Sequence, residues 1–324
     1  MAYYLGIDGG GSKTSCAVGD ETSLLAMAAA GPSNITRVGE AGAREALRQA
    51  ILAACRSVRI DPQQVKRACI GIAGAGRPQV VGTIRQVVAE IISAEVEVVG
   101  DMEIAMSAAF GSGPGVIVIA GTGSIAYGRN AQGQTARAGG WGFAISDEGS
   151  AHWIGRKGVK SVLRAIDQED LANSEKKANL AVRDDQESAA EEILLYRKLK
   201  SAWNLVSLEE FVRSANSAPD FAALFPVIAA SAVNGDALAH RALVKAGAEL
   251  AELAGIVIQQ LFAKSGDASI PLAVAGGVFR NSQIVREAFC EEVRGREPRL
   301  EINPQVIEPV TGALQMARDG AFEK

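Results

Sequence analysis

Asp8 closes an apolar run, Tyr3-Tyr4-Leu5-Gly6-Ile7, and is followed at once by Gly9-Gly10-Gly11-Ser12-Lys13-Thr14. A glycine run lets backbone N–H groups approach an anion closely, and the flanking hydroxyls add donors. A carboxylate beside such a loop repels phosphate unless a cation stands between them. Asp8 therefore either holds Mg2+, directly or through water, or accepts turn N–H groups as Asp does in many turns. The same order recurs at Val116-Ile117-Val118-Ile119-Ala120, which runs into Gly121-Thr122-Gly123-Ser124. Two such turns suit a nucleotide phosphate tail clamped from both sides, the arrangement of an ATP-using phosphotransferase. Asp101 follows Val96-Glu97-Val98-Val99-Gly100, at the carboxyl end of a strand and the start of a helix. A carboxylate there can take the proton of an attacking hydroxyl, and it can equally cap the helix. Asp147 and Glu148 sit among Gly139, Gly140, Gly142 and Gly149, close to Trp141. Acids between glycine turns, beside a flat ring, suit a hydroxyl-rich ligand.

Two familiar nucleotide motifs fail on context. Gly6 and Gly11 have the Walker A gap, but Ser12 stands where the lysine must be, and Thr14 to Asp20 reads as strand and turn instead of helix. Gly121-x-Gly123-x-x-Ala126 matches the dinucleotide fingerprint, yet Tyr127 to Gln134 reads as strand, turn and strand.

Composition narrows the class further. The 324 residues carry 48% hydrophobic and 22% charged residues with a net charge of −4, ordinary for a globular enzyme of two domains. No basic run recommends nucleic acid or a membrane surface as partner, and the N-terminus enters a strand with no basic leader. Cys16, Cys55, Cys69 and Cys290 are scattered without a C-x-x-C pair and read as reduced thiols of a cytoplasmic protein. His152 and His240 are the only histidines, and G-x-S-x-G is absent, which argues against a serine hydrolase or a histidine-rich zinc site.

The elements that must position these residues follow a duplicated plan. Residues 3–30 read as strand, glycine turn, strand, polar turn and strand, and residues 115–142 repeat that order. Between them, Gly39 to Val58 has helical spacing, Lys66 to Gly71 reads as a strand, Pro78 to Ser93 as a helix and Val96 to Val99 as a strand. This alternation predicts α/β architecture with parallel pairing. After Trp153 glycine disappears between Gly158 and Gly235, and the composition turns helical. A long helix over 236–264 leads to a buried strand, Ile270 to Ala275, that ends in Gly276-Gly277.

Taken with Gly31-Pro32-Ser33-Asn34, Gly71-Ile72-Ala73-Gly74-Ala75-Gly76-Arg77, Gly140-Trp141-Gly142, Asp147-Glu148-Gly149-Ser150, Ala275-Gly276-Gly277-Val278 and Pro309-Val310-Thr311-Gly312-Ala313, these motifs resemble, in order and spacing, the N-acetylglucosamine kinase and BadF/BadG/BcrA/BcrD ATPase family of the actin–hexokinase–Hsp70 superfamily. The resemblance spans nearly the whole chain. It implies two ribonuclease-H-like (actin-like ATPase) domains around a central cleft, over 1–112 and 113–311. The segment 312–324 returns to the first domain, and a helical subdomain covers about 155–265 of the second. It implies that Gly10, Gly11, Ser12, Lys13 and Thr14, with Thr122, Gly123 and Ser124, bind the ATP phosphates, and that Gly276 and Gly277 lie beside adenosine. Asp101 becomes the general base, Asp8 the Mg2+ ligand, and Asn34, Gly74, Ala75, Gly76, Gly140, Trp141 and Asp147 the amino-sugar pocket. The implied reaction phosphorylates O6 of an amino sugar such as N-acetylglucosamine or glucosamine, in a cytoplasmic homodimer with no nucleic-acid or membrane partner. Two other readings are an ATP-driven activator of a dehydratase-type enzyme, which needs paired thiolates for a [4Fe–4S] cluster, and a sugar- or nucleotide-sensing protein. Ser146 and Gly100-Asp101-Met102 depart from the common family residues at the pocket.

Overall fold

The computed structural model describes residues 2–174, 182–217, 219–264, 266 and 269–320. The first half runs β1 (Tyr3–Gly9), β2 (Thr14–Gly19), β3 (Leu24–Ala30), α1 (Ile35–Ser57), β4 (Val65–Ile72), α2 (Pro78–Ala89), β5 (Glu95–Gly100) and α3 (Asp101–Phe110). The second opens with β6 (Gly115–Ala120), β7 (Ser124–Arg129) and β8 (Thr135–Gly139). A helical stretch follows: α4 (Ala151–Ser174), α5 (Val182–Glu192), α6 (Leu194–Ala202), α7 (Leu208–Asn216), α8 (Phe225–Val233) and α9 (Ala237–Phe262). The chain then completes β9 (Ile270–Ala275), α10 (Gly277–Asn281), α11 (Gln283–Arg296), β10 (Leu300–Ile307) and α12 (Pro309–Asp319).

The two five-stranded sheets share one plan. Their orders are β3-β2-β1-β4-β5 and, read from the matching edge, β8-β7-β6-β9-β10. In each, the first three strands form an antiparallel meander, the fourth pairs in parallel with the first, and the fifth pairs in parallel with the fourth. This is the duplicated ribonuclease-H-like fold that the family resemblance implies, on the α/β plan that the sequence pattern predicts. The parallel strands are nearly continuous apolar runs because helices cover both faces. Leu5 and Ile7 pack with Leu47, Ile51 and Ile84 on one face of the first sheet, each burial contributing about 1.5–3 kcal/mol. Tyr4, Cys69 and Val99 pack on the other face with Ile104 of α3 and Val310, Ala313 and Leu314 of α12.

The helix α3 lies between the sheets. Its Ala105 and Met106 join Ile117, Ala273 and Ala275 of the second sheet. The approach of α12 to α3 depends on Gly312, where an added Cβ would lie 2.0 Å from the Ile104 carbonyl oxygen. Two sequence expectations need amendment. The helix expected from Gly39 begins at Ile35 and is kinked at Gly39 (φ 70°), because Asn34 caps it earlier. Residues 300–307 form a fifth strand that periodicity alone does not suggest. Residues 321–324 of the returning segment expected over 312–324 lie outside the described residues. Among those described, no single helix is long and apolar enough to cross a bilayer.

Candidate active site

Both glycine turns leave the carboxyl ends of the first strands of their sheets and meet across the cleft. The first closes between β1 and β2, with Gly10 N–H donating to the Lys13 carbonyl at 3.0 Å. The second closes with Gly121 N–H on the Gly123 carbonyl at 2.9 Å. Ser12 Oγ and Thr122 Oγ1, 110 residues apart in sequence, share a hydrogen bond of 2.7 Å. Lys13 is exposed beside them. Thr14 is buried and turned away: its hydroxyl donates to the Gly31 carbonyl at 2.7 Å and contacts Ser33 Oγ at 2.8 Å, fastening the Gly31–Asn34 turn to β2.

Asp8 and Asp101 stand at the ends of β1 and β5, with β4 between their strands. Burial first, and the Asp101 charge next, push the Asp8 carboxyl up to about 7; Lys13 and Arg280 pull it down, and Glu308 pushes it up. Arg280 of α10 pairs with Glu308, just before α12, at 2.5 Å. Asp101 is the first residue of α3, behind Gly100 at the cap position. Its Oδ1 accepts the Met102 N–H at 3.0 Å. Burial raises its carboxyl, the amides of Met102 and Asp101 itself oppose that, and Glu103 adds a small push upward. The positive end of α3 also favours the ionised form. A buried carboxylate at a strand end, held by the amides that open a helix, has the placement that general-base work needs. Among the described residues no three or more His, Cys, Asp or Glu side chains gather as a metal cage. One or two carboxylates completed by phosphate oxygens and water form an oxygen donor set that fits Mg2+.

The segment Gly139–Ser150 wraps the second turn. Asp147 adopts a left-handed backbone (φ 64°), rare for a residue with a Cβ. Burial raises its carboxyl, which the amides of Ser124 and then Gly142 counter by hydrogen bonding to it. Ser124 Oγ donates to the Glu148 carbonyl at 2.7 Å, and Ser146 Oγ donates to Glu148 Oε2 at 2.8 Å. Ala151 N–H at the head of α4 donates to the Gly121 carbonyl at 2.8 Å. Asp147 and Ser124 are thus welded together, and the second turn is fixed from behind. Trp141 is 66% exposed, with the Arg137 guanidinium 4.4 Å from its ring centroid. Phe143 and Ile145 of the same loop are also exposed.

The other residues singled out from sequence occupy separate corners. Asn34 Oδ1 accepts the Thr36 N–H at 3.0 Å and so caps α1. Gly74, Ala75 and Gly76 form the turn between β4 and α2, closed by Arg77 N–H on the Gly74 carbonyl at 3.0 Å. Gly276 has φ 101°, and an added Cβ would lie 2.3 Å from the Ala120 carbonyl oxygen, so the turn after β9 can press against the end of β6 only with glycine there. Gly277 opens α10. Sequence reasoning missed Arg37, Asp220 and His152, whose contacts join distant parts of the chain. Periodicity carries no signal for such pairings.

Comparison with known proteins covers almost the whole chain. The model of the BadF/BadG/BcrA/BcrD ATPase family matches residues 5–317. An N-acetylmuramic acid/N-acetylglucosamine kinase of Clostridium acetobutylicum is 31% identical over 98% of this chain and 99% of its own. An N-acetyl-D-glucosamine kinase of Dictyostelium discoideum is 29% identical over 97% of each. A crystal structure described as a candidate N-acetylglucosamine kinase from Chromobacterium violaceum superposes with a TM-score of 0.68 at 23% identity. That match covers 98% of this chain and 99% of the other, and it speaks to the fold.

Proposed function

The chain belongs to the BadF/BadG/BcrA/BcrD ATPase family, and from that premise we propose that it is an ATP-dependent amino-sugar kinase. The acceptor is O6 of N-acetylglucosamine, glucosamine or a close relative. The observation that carries this reading is the grouping of Asp101, Asp8 and Lys13 at the strand ends beside two glycine turns already in contact. Full-length similarity to two curated amino-sugar kinases supports the substrate class.

In this reading, Asp101 takes the proton of the sugar hydroxyl as its oxygen attacks the γ-phosphorus. The bond from that phosphorus to the ADP oxygen breaks in line. The products are sugar phosphate, ADP and one proton, which returns to water. Gly11, Ser12, Lys13, Thr122 and Gly123 hold the phosphates with N–H and hydroxyl donors, while Gly10, Thr14 and Ser124, whose own donors are spent within the turns, keep the two loops in shape behind them. Asp8 would hold Mg2+, directly or through water; when bound, Mg2+ neutralises phosphate charge. Gly276 and Gly277 lie beside adenosine. Asn34, Gly74, Ala75, Gly76, Gly140, Trp141 and Asp147 line the sugar side. The division at 112/113, a cytoplasmic location and a homodimer complete the proposal.

The test measures sugar phosphate and ADP together, for Mg-ATP with N-acetylglucosamine, glucosamine, N-acetylmannosamine, N-acetylmuramic acid, glucose and no sugar. One amino sugar should drive ADP release, with phosphorus NMR placing the phosphate on O6. Asp101→Asn should lower kcat by about 10²–10⁴-fold, roughly 3–5 kcal/mol of barrier. ADP release indifferent to every sugar would end the proposal.

A further inference from the structure

The turn that carries Asn34 also carries Arg37, which spans the cleft. Arg37 Nη1 donates to the Gly11 carbonyl in the first glycine turn at 2.7 Å. Its Nη2 donates to Asp220 Oδ2 at 2.5 Å, 183 residues away at the head of a short 3-10 turn, Phe221–Leu224, in the helical insertion. One guanidinium therefore holds a phosphate turn of the first sheet and an element of the second half of the chain. The contacts continue. The Phe221 ring lies 5.3 Å from His152, edge-on, and His152 lies 4.9 Å from Phe143, two residues from Trp141. His152 N–H also donates to the Thr122 carbonyl at 3.4 Å. Burial, then the charge of Arg156, hold the His152 imidazole below its ordinary value, so it is a neutral ring in this stack at neutral pH. A continuous path thus links Gly11 to both the second glycine turn and the loop of Trp141.

Local backbone isolates the residue at the head of that path. Asn34 caps only one helical turn before the chain breaks at Gly39 (φ 70°, ψ 174°). Arg37 rides on that single turn, separate from the body of α1. An exposed ion pair of this kind adds little to folding stability. Its value lies in geometry: arginine offers two donors in a fixed fork, one for each side of the cleft, where lysine offers a single point charge.

We propose that Arg37 is a positioning residue, a clasp that sets the first phosphate turn only when the helical insertion is drawn against it. This rests on the phosphotransferase reading above and extends it. Sugar seated between Asn34 and the Trp141 loop acts through the clasp to favour transfer to sugar over transfer to water.

The full-length protein and its Asp220→Asn, Arg37→Ala and Arg37→Lys variants carry the test. Sugar phosphate and ADP are counted in one reaction, and hydrogen exchange is followed at residues 10–14 and 219–224 without ligand. Asp220→Asn and Arg37→Ala should lower kcat for sugar phosphorylation by about 10- to 100-fold. A larger share of ADP should appear without sugar phosphate, and exchange should quicken in both segments. Arg37→Lys should fall between these and wild type. Melting midpoints should stay within about 2 °C, as expected for a surface pair; if Arg37→Ala fails to fold, the other two variants decide. Unchanged coupling and unchanged exchange in Asp220→Asn would overturn the clasp. A wild type that phosphorylates no amino sugar overturns the kinase reading instead, and the clasp then stands or falls on the exchange rates.

Discussion

Replacing Asp8 by Asn removes a charge that the fold tolerates at a cost. Burial and Asp101 raise its carboxyl to about 7, against 3.8 for a free side chain. Each unit of that gap is about 1.4 kcal/mol, so ionising Asp8 in the folded protein costs up to about 4 kcal/mol. Below pH 4 the group is protonated whether the chain is folded or not, and the variant gains nothing. Between pH 4 and 7 the unfolded chain releases the proton while the folded chain keeps it, so wild-type stability falls as pH rises. Above 7 that loss is complete. With an unfolding entropy of about 2.1 cal/mol/K per residue, 4 kcal/mol across this chain amounts to roughly 6 °C. Metal-free Asp8→Asn should therefore melt with wild type at pH 4 and roughly 6 °C above it at pH 8, by circular dichroism. Mg2+ with ADP should raise the wild-type midpoint at pH 8 far more than that of the variant. An offset of the same size at pH 4 and pH 8 would show that Asp8 does not titrate at a raised pH in the folded protein, because only titration of the buried carboxyl makes the offset grow.

Two further outcomes follow from the turns. Gly276→Ala should cost roughly 2–6 kcal/mol in urea unfolding, the sum of an unfavourable backbone conformation and a clash with backbone that cannot yield; a loss under 1 kcal/mol would contradict the close approach to Ala120. Asp147→Ala should cost roughly 1–3 kcal/mol for each amide, Ser124 and Gly142, left without its acceptor. Asp147→Asn, which tolerates the left-handed backbone and keeps one carbonyl oxygen, should cost less. Equal losses in the two variants would show that the side chain does not hold the turn.

Much of the architecture can be read from local pattern because strands, glycine turns and helical spacing are short-range features. The order of β1 to β3 and its repetition in β6 to β8 needs nothing beyond periods of two and the placing of glycine. At Asp101 the sequence alone allows a base or a helix cap; the structure puts Gly100 at the cap position and Asp101 inside the first turn of α3. Strand β10 was hidden by Pro304, which is tolerated because the strand lies at the sheet edge and its register shifts between Ile302 and Val306. Trp141 and Asp147 stood out by type. That Asp147 would turn back onto the Ser124 amide depends on a left-handed backbone that no propensity requires. Arg37 carries no signal in the sequence, since its partner Asp220, 183 residues away, comes near only after the whole chain has folded.

The packing of α12 on the first sheet has a consequence for synthesis. Tyr4, Ala17, Cys69, Val99 and Ile104 form a face whose cover, Val310 to Ala317, is translated only after the whole second sheet. At about 5–20 residues per second, roughly 10–40 s separate the emergence of α3 from that of α12. Throughout that interval the nascent first half presents an apolar face towards the ribosome surface and any waiting chaperone, while the second half is still being made. The half of the molecule made first thus waits for a helix that follows the second sheet.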